Sequence, residues 1–79
     1  MRVRVKLFAG LNRYLQGQTA GSPLEIEVPE GATLETLVRQ LGLPPEEVRV
    51  IFVNGRAQPL TFGLHEQDEI GIFPPIGGG

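Results

Sequence analysis

The sequence predicts a two-layer α+β domain, in which one main helix packs on one face of a mixed sheet of four to five strands. The chain has 79 residues, enough for one domain with a single small core. Several short segments alternate apolar and polar residues, and one central segment carries an apolar stripe at helical spacing. We therefore expect the order β-β-α-β-(β)-β, with the domain at residues 1–75 and a flexible glycine tail at residues 76–79.

Alternating patterns predict the first two strands. Val3, Val5 and Leu7 alternate with basic residues, and the apolar residues of segment 24–28 alternate with glutamates. Each pattern is typical of a strand with one buried and one solvated face. If the two strands pair antiparallel across an exposed loop at residues 16–23, their cationic and anionic faces attract each other weakly.

The helix has the clearest local signals. Its apolar residues follow the spacing i, i+3, i+4, i+7 and are Leu34, Leu37, Val38 and Leu41. Thr33 is a suitable N-cap, and Gly42 marks the C-terminal stop. We expect no full capping box, because Thr36 stands where glutamate or glutamine is usual.

The C-terminal half predicts further strands. The nearly continuous apolar run at residues 48–53 suggests a strand that is buried on both faces or lies at the sheet centre. Asn54-Gly55 predicts a tight turn, followed by a short strand or an extended segment at residues 56–60. A last strand at residues 70–73 ends before two prolines.

Composition excludes several kinds of site. The chain has no cysteine, which removes disulfides, thiolate metal sites and cysteine nucleophiles, and its one histidine excludes paired-histidine metal sites. Nine acidic and seven basic residues give a net charge of −2, without the basic excess expected of a nucleic-acid-binding protein. The apolar stretches are too short for a membrane span. We expect no metal, no nucleic acid and no membrane, and a cytoplasmic location.

The acidic side chains do not indicate a catalytic pair. Glu46 and Glu47 follow an exposed Pro-Pro turn, and a solvated charge pair is the favoured interpretation. His65 lies among carboxylates in segment 65–69, for which a solvated turn is favoured over a weak metal site.

The C-terminal segment is the strongest functional candidate. It consists of Pro74, Pro75, Ile76, Gly77, Gly78 and Gly79. A frayed terminus or a linker remnant is one interpretation. The alternative is that the prolines stiffen the exit and the glycines enter a slot too narrow for other residues. Fully extended, the segment reaches roughly 20 Å, which suits delivery of a carboxylate into another protein's active site.

A terminal carboxylate needs activation before it reacts. It is ionised at neutral pH and a poor electrophile, so an activated leaving group such as AMP is required. A sulfur nucleophile then gives a thiocarboxylate, whereas an amine gives an amide link to a protein. The absence of a side-chain thiol is compatible with this chemistry.

The end of the chain resembles the Phe-Pro-Pro-x-x-Gly-Gly signature of MoaD-type proteins, the small subunit of molybdopterin synthase, whose relatives include the sulfur carrier ThiS. The matching residues are Phe73-Pro74-Pro75-Ile76-Gly77-Gly78-Gly79. Four internal segments are also similar: residues 3–9, residues 28–34, Val53-Asn54-Gly55 and Asp68-Glu69-Ile70. The resemblance covers nearly the whole chain.

The resemblance implies a ubiquitin-like β-grasp fold and a sulfur carrier that is not catalytic alone. It implies that a ubiquitin-activating-type enzyme adenylates Gly79 with ATP, that a sulfur donor protein supplies the sulfur, and that no cofactor is bound stably. It further implies that the tail enters a MoaE-like large subunit and donates sulfur in molybdenum or tungsten cofactor synthesis.

Three alternatives remain open at this stage. The chain could be a ubiquitin-like modifier conjugated through Gly79, a sulfur carrier for thiamine, tRNA thiolation or cysteine, or a binding module with an inert tail. For a carrier, we expect an apolar patch that docks the partner, with Leu60, Phe62 and Phe73 as candidates. Phe62 and Tyr14 are equally compatible with the core.

Overall fold

The computed structural model describes residues 1–15 and 21–75. Within them lie five strands, one α-helix and two short 3-10 helices. The strands are β1 (Arg2–Leu7), β2 (Leu24–Glu27), β3 (Val50–Val53), β4 (Arg56–Ala57) and β5 (Glu69–Phe73). The helices are α1 (Leu34–Leu41) and the 3-10 turns Leu11–Tyr14 and Pro45–Glu47. The predicted order is confirmed, whereas most of the loop expected at residues 16–23 lies outside the described residues.

The strands form one mixed sheet in the order β2-β1-β5-β3-β4. β1 pairs antiparallel with β2 and parallel with β5, and β5 pairs antiparallel with β3. The last strand therefore lies at the sheet centre, where both of its edges are paired. This arrangement fixes the direction in which the chain leaves the sheet after β5.

Helix α1 begins and ends as the sequence predicts, but its N-terminal cap is more complete. The Thr33 hydroxyl accepts a hydrogen bond from the Thr36 N–H, and the Thr36 hydroxyl accepts one from the Thr33 N–H at 3.2 Å. The expectation of no full capping box is therefore wrong, because a threonine hydroxyl fills the role usually taken by a glutamate. Gly42 closes the helix in the left-handed conformation, with φ of 74°.

One apolar core lies between α1 and the sheet. The four helix residues of the predicted stripe are buried, and so are the inward-facing residues of β1, β3 and β5. The other face of the sheet carries no helix among the described residues. No described helix is long and apolar enough to cross a membrane.

The prediction that residues 48–53 are buried on both faces is wrong. In β3, Ile51 and Val53 are buried, whereas Val50 and Phe52 are each 37% exposed. Alternation continues through the apolar run, so its second set of side chains projects onto the open face of the sheet. The centre of the sheet is occupied by β5 instead.

Candidate functional site

The central strand β5 ends at Phe73, directly before the prolines that open the predicted C-terminal segment. The Phe73 carbonyl accepts a hydrogen bond from the Arg49 N–H at 2.9 Å, and the Ile72 carbonyl accepts one from the Phe8 N–H at 3.1 Å. Pro74 and Pro75 have no N–H to continue either ladder. The strand therefore stops here on both sides, and Pro74 and Pro75 lie outside the sheet. The predicted reactive and inserting residues Ile76, Gly77, Gly78 and Gly79 lie outside the described residues.

Three aromatic rings cluster at this end of the open sheet face. Phe8 stacks on Phe73 with ring centroids 4.5 Å apart and an interplanar angle of 6°. Phe52 meets Phe73 edge-on, with centroids 5.7 Å apart. Both arrangements are favourable for aromatic pairs and hold the Phe73 ring from two sides.

Gly71 makes room for this cluster. It lies opposite Lys6 on β1 and opposite Phe52 on β3. A Cβ atom at Gly71 would lie 3.3 Å from Phe8 Cε2 and 3.6 Å from the Phe73 ring. The missing side chain thus lets the Phe8 ring lie close to the backbone of the central strand.

We call the exposed apolar surface formed by Phe8, Val50, Phe52 and Phe73 the aromatic face. Two shallow grooves adjoin it, and both are lined by Phe52 and Phe73. One of about 280 Å³ extends along β1 and β5, and one of about 620 Å³ includes Pro74 and Pro75. The aromatic face is therefore continuous with the start of the tail.

The opposite end of the open face is covered by ion pairs. Arg2 lies 3.1 Å from Glu27, and Arg4 lies 3.5 Å from Glu25 and 4.0 Å from Glu69. The predicted attraction between the cationic and anionic strands is confirmed, although exposed pairs of this kind stabilise a fold only slightly. The open face is thus charged at one end and apolar at the end nearest the tail.

The residues suggested as a docking patch do not form one surface. Phe73 belongs to the aromatic face, whereas Leu60, 44% exposed, lines a groove beside α1. Phe62 is half-buried against the core, and its ring lies edge-on to His65 at 6.4 Å. Tyr14 is 38% exposed beneath the Arg13 guanidinium.

Sequence reasoning missed Phe8, Val50 and Phe52 as neighbours of Phe73. Phe8 continues the solvated register of β1, two residues beyond Lys6, which was a usable signal. Phe52 was hidden within an apolar run. Only the pairing of β5 between β1 and β3 brings these side chains together.

The acidic loop contains a buried carboxylate, contrary to the solvated turn expected there. Asp68 is 7% exposed and accepts hydrogen bonds from the Asn54 side-chain amide at 2.9 Å and from the His65 N–H at 2.8 Å. Asn54 Oδ1 in turn accepts a hydrogen bond from the Glu69 N–H at 2.9 Å. The two internal segments of the resemblance that contain Asn54 and Asp68 are therefore joined to each other. Among residues 1–15 and 21–75, no cluster of three or more histidine or acidic residues could hold a metal ion.

Comparisons with solved structures agree on this fold. A putative molybdopterin converting factor subunit 1 from Pyrococcus furiosus is 29% identical, with a TM-score of 0.73 over 96% of this chain and 99% of that one. Small archaeal modifier protein 1 from Haloferax volcanii is 21% identical, with a TM-score of 0.72 over 95% and 98% of the two chains. Both likenesses span the β-grasp domain almost completely.

A third similar structure comes from a complex. In the complex of subunits 1 and 2 of the molybdopterin-converting factor from Helicobacter pylori, one chain is 22% identical, with a TM-score of 0.64 over the whole of both chains. At this identity the likeness shows the fold. Among curated protein sequences, no significant match was found.

The expected β-grasp is confirmed by the five-stranded mixed sheet with one helix on one face. Ubiquitin-like structural neighbours agree, among them a ubiquitin-like protein from Caldiarchaeum subterraneum with a TM-score of 0.55. The model of the ThiS family matches residues 5–79, nearly the entire sequence. The chain therefore belongs to the ThiS family of ubiquitin-like sulfur carriers.

Proposed function

We propose that this protein is the sulfur-carrying small subunit of a molybdopterin-synthase-type complex. In this role Gly79 is adenylated, converted to a thiocarboxylate, and inserted into a larger catalytic subunit as the sulfur donor for molybdenum or tungsten cofactor synthesis. The observation that carries the proposal is the placement of Phe73-Pro74-Pro75: the central strand stops there and its chain continues directly into the glycine segment.

The choice of this branch of the family rests on two supports. The Pyrococcus furiosus protein, named as a putative subunit 1 of a molybdopterin converting factor, is 29% identical over almost the full length. The Phe-Pro-Pro form of the segment at residues 73–75 also resembles the MoaD-type signature.

The proposed chemistry assigns the catalytic groups to other proteins. A carboxylate oxygen of Gly79 attacks the α-phosphorus of ATP in a ubiquitin-activating-type enzyme, and pyrophosphate leaves. The terminal sulfur of a persulfide on a donor protein then attacks the acyl carbon and releases AMP. A thiol cleaves the resulting acyl disulfide, which frees the Gly79 thiocarboxylate and leaves a disulfide. The carrier contributes its acyl group and a thin segment whose glycines lack Cβ atoms, and ATP is consumed without being retained by the carrier. The need for ATP is consistent with a cytoplasmic site of action.

Docking of the large subunit requires more than the tail. A tail that becomes ordered on binding loses conformational freedom, and this loss lowers the affinity. An adjoining apolar surface must therefore supply much of the binding free energy. The aromatic face meets this need, because its grooves include the prolines from which the tail starts. We therefore assign large-subunit docking to the aromatic face and replace Leu60 and Phe62 by Phe8, Val50 and Phe52 as candidates beside Phe73.

The test uses the purified protein, the adenylating enzyme and the large subunit encoded in the same genome, and a sulfur source. We expect ATP-dependent exchange of one oxygen for sulfur at Gly79, detected by intact-mass analysis, and transfer of that sulfur to the pterin precursor. A variant extended by one residue beyond Gly79 should not react, because its carboxylate is displaced from the reacting centre. Normal adenylation of the extended variant would contradict the mechanism.

A second candidate is a protein modifier that is joined through Gly79 to amines of target proteins. The same acyl-adenylate gives this product when an amine attacks in place of sulfur. The observation that favours this candidate is the structural likeness to a protein named as a modifier, small archaeal modifier protein 1. Mass spectrometry of native lysates separates the two roles: free thiocarboxylate without lysine-linked conjugates rejects the modifier.

A further inference from the structure

Two cations border the aromatic face from opposite sides. Lys6 lies on β1 and lines the groove of about 280 Å³ with Phe8 and Phe52. Arg49 directly precedes β3 and lines the groove of about 620 Å³ beside Pro74 and Pro75. Because β1 and β3 flank β5, the two positive charges lie on either side of the Phe73 strand.

Neither cation has an ion-pair partner among the described residues, in contrast with most other basic side chains. Four arginines each lie within 4.0 Å of a glutamate: Arg2, Arg4, Arg13 and Arg39. Lys6 is half-buried and Arg49 is exposed. Their charges are therefore not neutralised within the part of the chain that the structure describes.

Most carboxylates among the described residues lie away from the two grooves. Among the described residues that line the two grooves, Glu69 is the one carboxylate, and it lies 4.0 Å from the Arg4 guanidinium. The chain as a whole has a net charge of −2. The aromatic face is thus a locally positive surface on a protein with an overall negative charge.

We propose that the aromatic face binds a protein surface with an apolar centre flanked by carboxylates, which pair with Lys6 and Arg49. This inference rests on the proposed function and specifies its partner: the large subunit should present the acidic groups. An apolar contact that covers the rings also removes water from the neighbouring cations, which is unfavourable unless the partner supplies opposite charges.

The two charges also give the complex an orientation. Apolar contact between flat surfaces fixes rotation poorly, whereas two ion pairs on opposite sides of Phe73 select one alignment. Arg49 is the more important of the two for the tail, because its backbone N–H is bonded to the Phe73 carbonyl and its side chain lies beside the prolines. A partner carboxylate at Arg49 would set the direction in which residues 76–79 enter the large subunit.

The test is the association rate of the full-length protein with the purified large subunit from the same genome, measured by stopped-flow at several salt concentrations. We expect Lys6→Glu and Arg49→Glu each to lower the rate about tenfold at low salt and to flatten its salt dependence. Lys6→Gln and Arg49→Gln should give smaller losses in the same direction. Arg56→Glu is the matched control, because Arg56 is exposed, has no described ion pair and lines neither groove.

The outcomes separate this inference from the proposed function. If the unaltered protein binds and receives sulfur, but the Lys6 and Arg49 variants associate as fast as Arg56→Glu, the charged partner is wrong and the carrier function stands. If the unaltered protein neither binds nor is adenylated, both proposals fail. An NMR comparison of the isolated protein with a variant lacking Gly78 and Gly79 tests another occupant, the chain's own tail. If the Phe52 and Phe73 signals differ between the two proteins, the tail fills the groove, and the inference is overturned.

Discussion

The buried carboxylate of Asp68 makes a quantitative prediction about what holds the β3–β4 hairpin to the central strand. Its oxygens accept hydrogen bonds from the Asn54 amide and from the His65 N–H. Asn54 has φ of 51°, and its backbone N–H also donates to the Glu69 carbonyl at 2.7 Å. The side chain of Asp68 thus fixes the turn that follows Phe52 against the start of the strand that carries Phe73.

We expect Asp68→Ala to lower the free energy of unfolding by about 2–4 kcal/mol, since a hydrogen bond to a charged group contributes about 1.5–3 kcal/mol and water can replace part of the lost contacts. Asp68→Asn keeps one acceptor but turns an NH₂ group toward the second donor, so we expect a loss of about 1–2 kcal/mol. For a domain of 79 residues, total stability is about 4–12 kcal/mol, so the alanine variant loses a large share.

The measurement is urea unfolding followed by circular dichroism, with the midpoint compared at constant m value. His65→Ala is the control, because its imidazole is 79% exposed and its backbone N–H still donates to Asp68; we expect a change below about 0.5 kcal/mol. If Asp68→Ala is destabilised no more than this control, the hydrogen-bonded network does not hold the hairpin and the reasoning is refuted.

Three further predictions concern the helix and the aromatic face. Thr33→Ala removes the N-cap and half of the threonine capping box, and should cost about 1 kcal/mol in urea unfolding, with an unchanged midpoint counting against the cap. Gly42→Ala places a Cβ in the left-handed conformation, so the free energy of unfolding should fall by about 1 kcal/mol and the melting temperature should fall with it. This loss is expected even though no atom lies near the new methyl group. Phe73→Ala removes the stack with Phe8 and should cost about 2 kcal/mol, because the ring is only half-buried. In calorimetric titration with the large subunit, Phe73→Ala should bind at least about tenfold more weakly, whereas Leu60→Ala should bind normally; equal losses would reject the aromatic face as the docking surface.

Local patterns in the sequence predict much of the fold. The stripe at Leu34, Leu37, Val38 and Leu41 and the alternation in β1 are set by neighbouring residues, so periodicity alone identifies them. The run of β3 misleads because apolar residues occupy both faces, and periodicity cannot separate a doubly buried strand from one that exposes an apolar face. The sequence does not predict the capping role of Thr36, because the usual capping-box rule considers glutamate and glutamine.

The candidate site depends on contacts that the sequence does not display. Phe8 and Phe73 are 65 positions apart, and their stacking follows from the parallel pairing of β1 with β5. Asp68 resembles its acidic neighbours in sequence, and its burial is set by Asn54, which lies on another turn. Long-range pairing of this kind has no local signal, so the sequence alone does not place Phe8 beside Phe73 or Asn54 beside Asp68.

The central claim is that Gly79 carries sulfur. The direct measurement is the intact mass of the protein after incubation with its adenylating enzyme, ATP and a sulfur donor, with fragmentation to locate any change. The account predicts replacement of one oxygen by sulfur at Gly79, dependent on ATP and absent when one residue is added to the end of the chain. An unchanged mass in the presence of active adenylating enzyme, or a product in which Gly79 is joined only to protein amines, would contradict it.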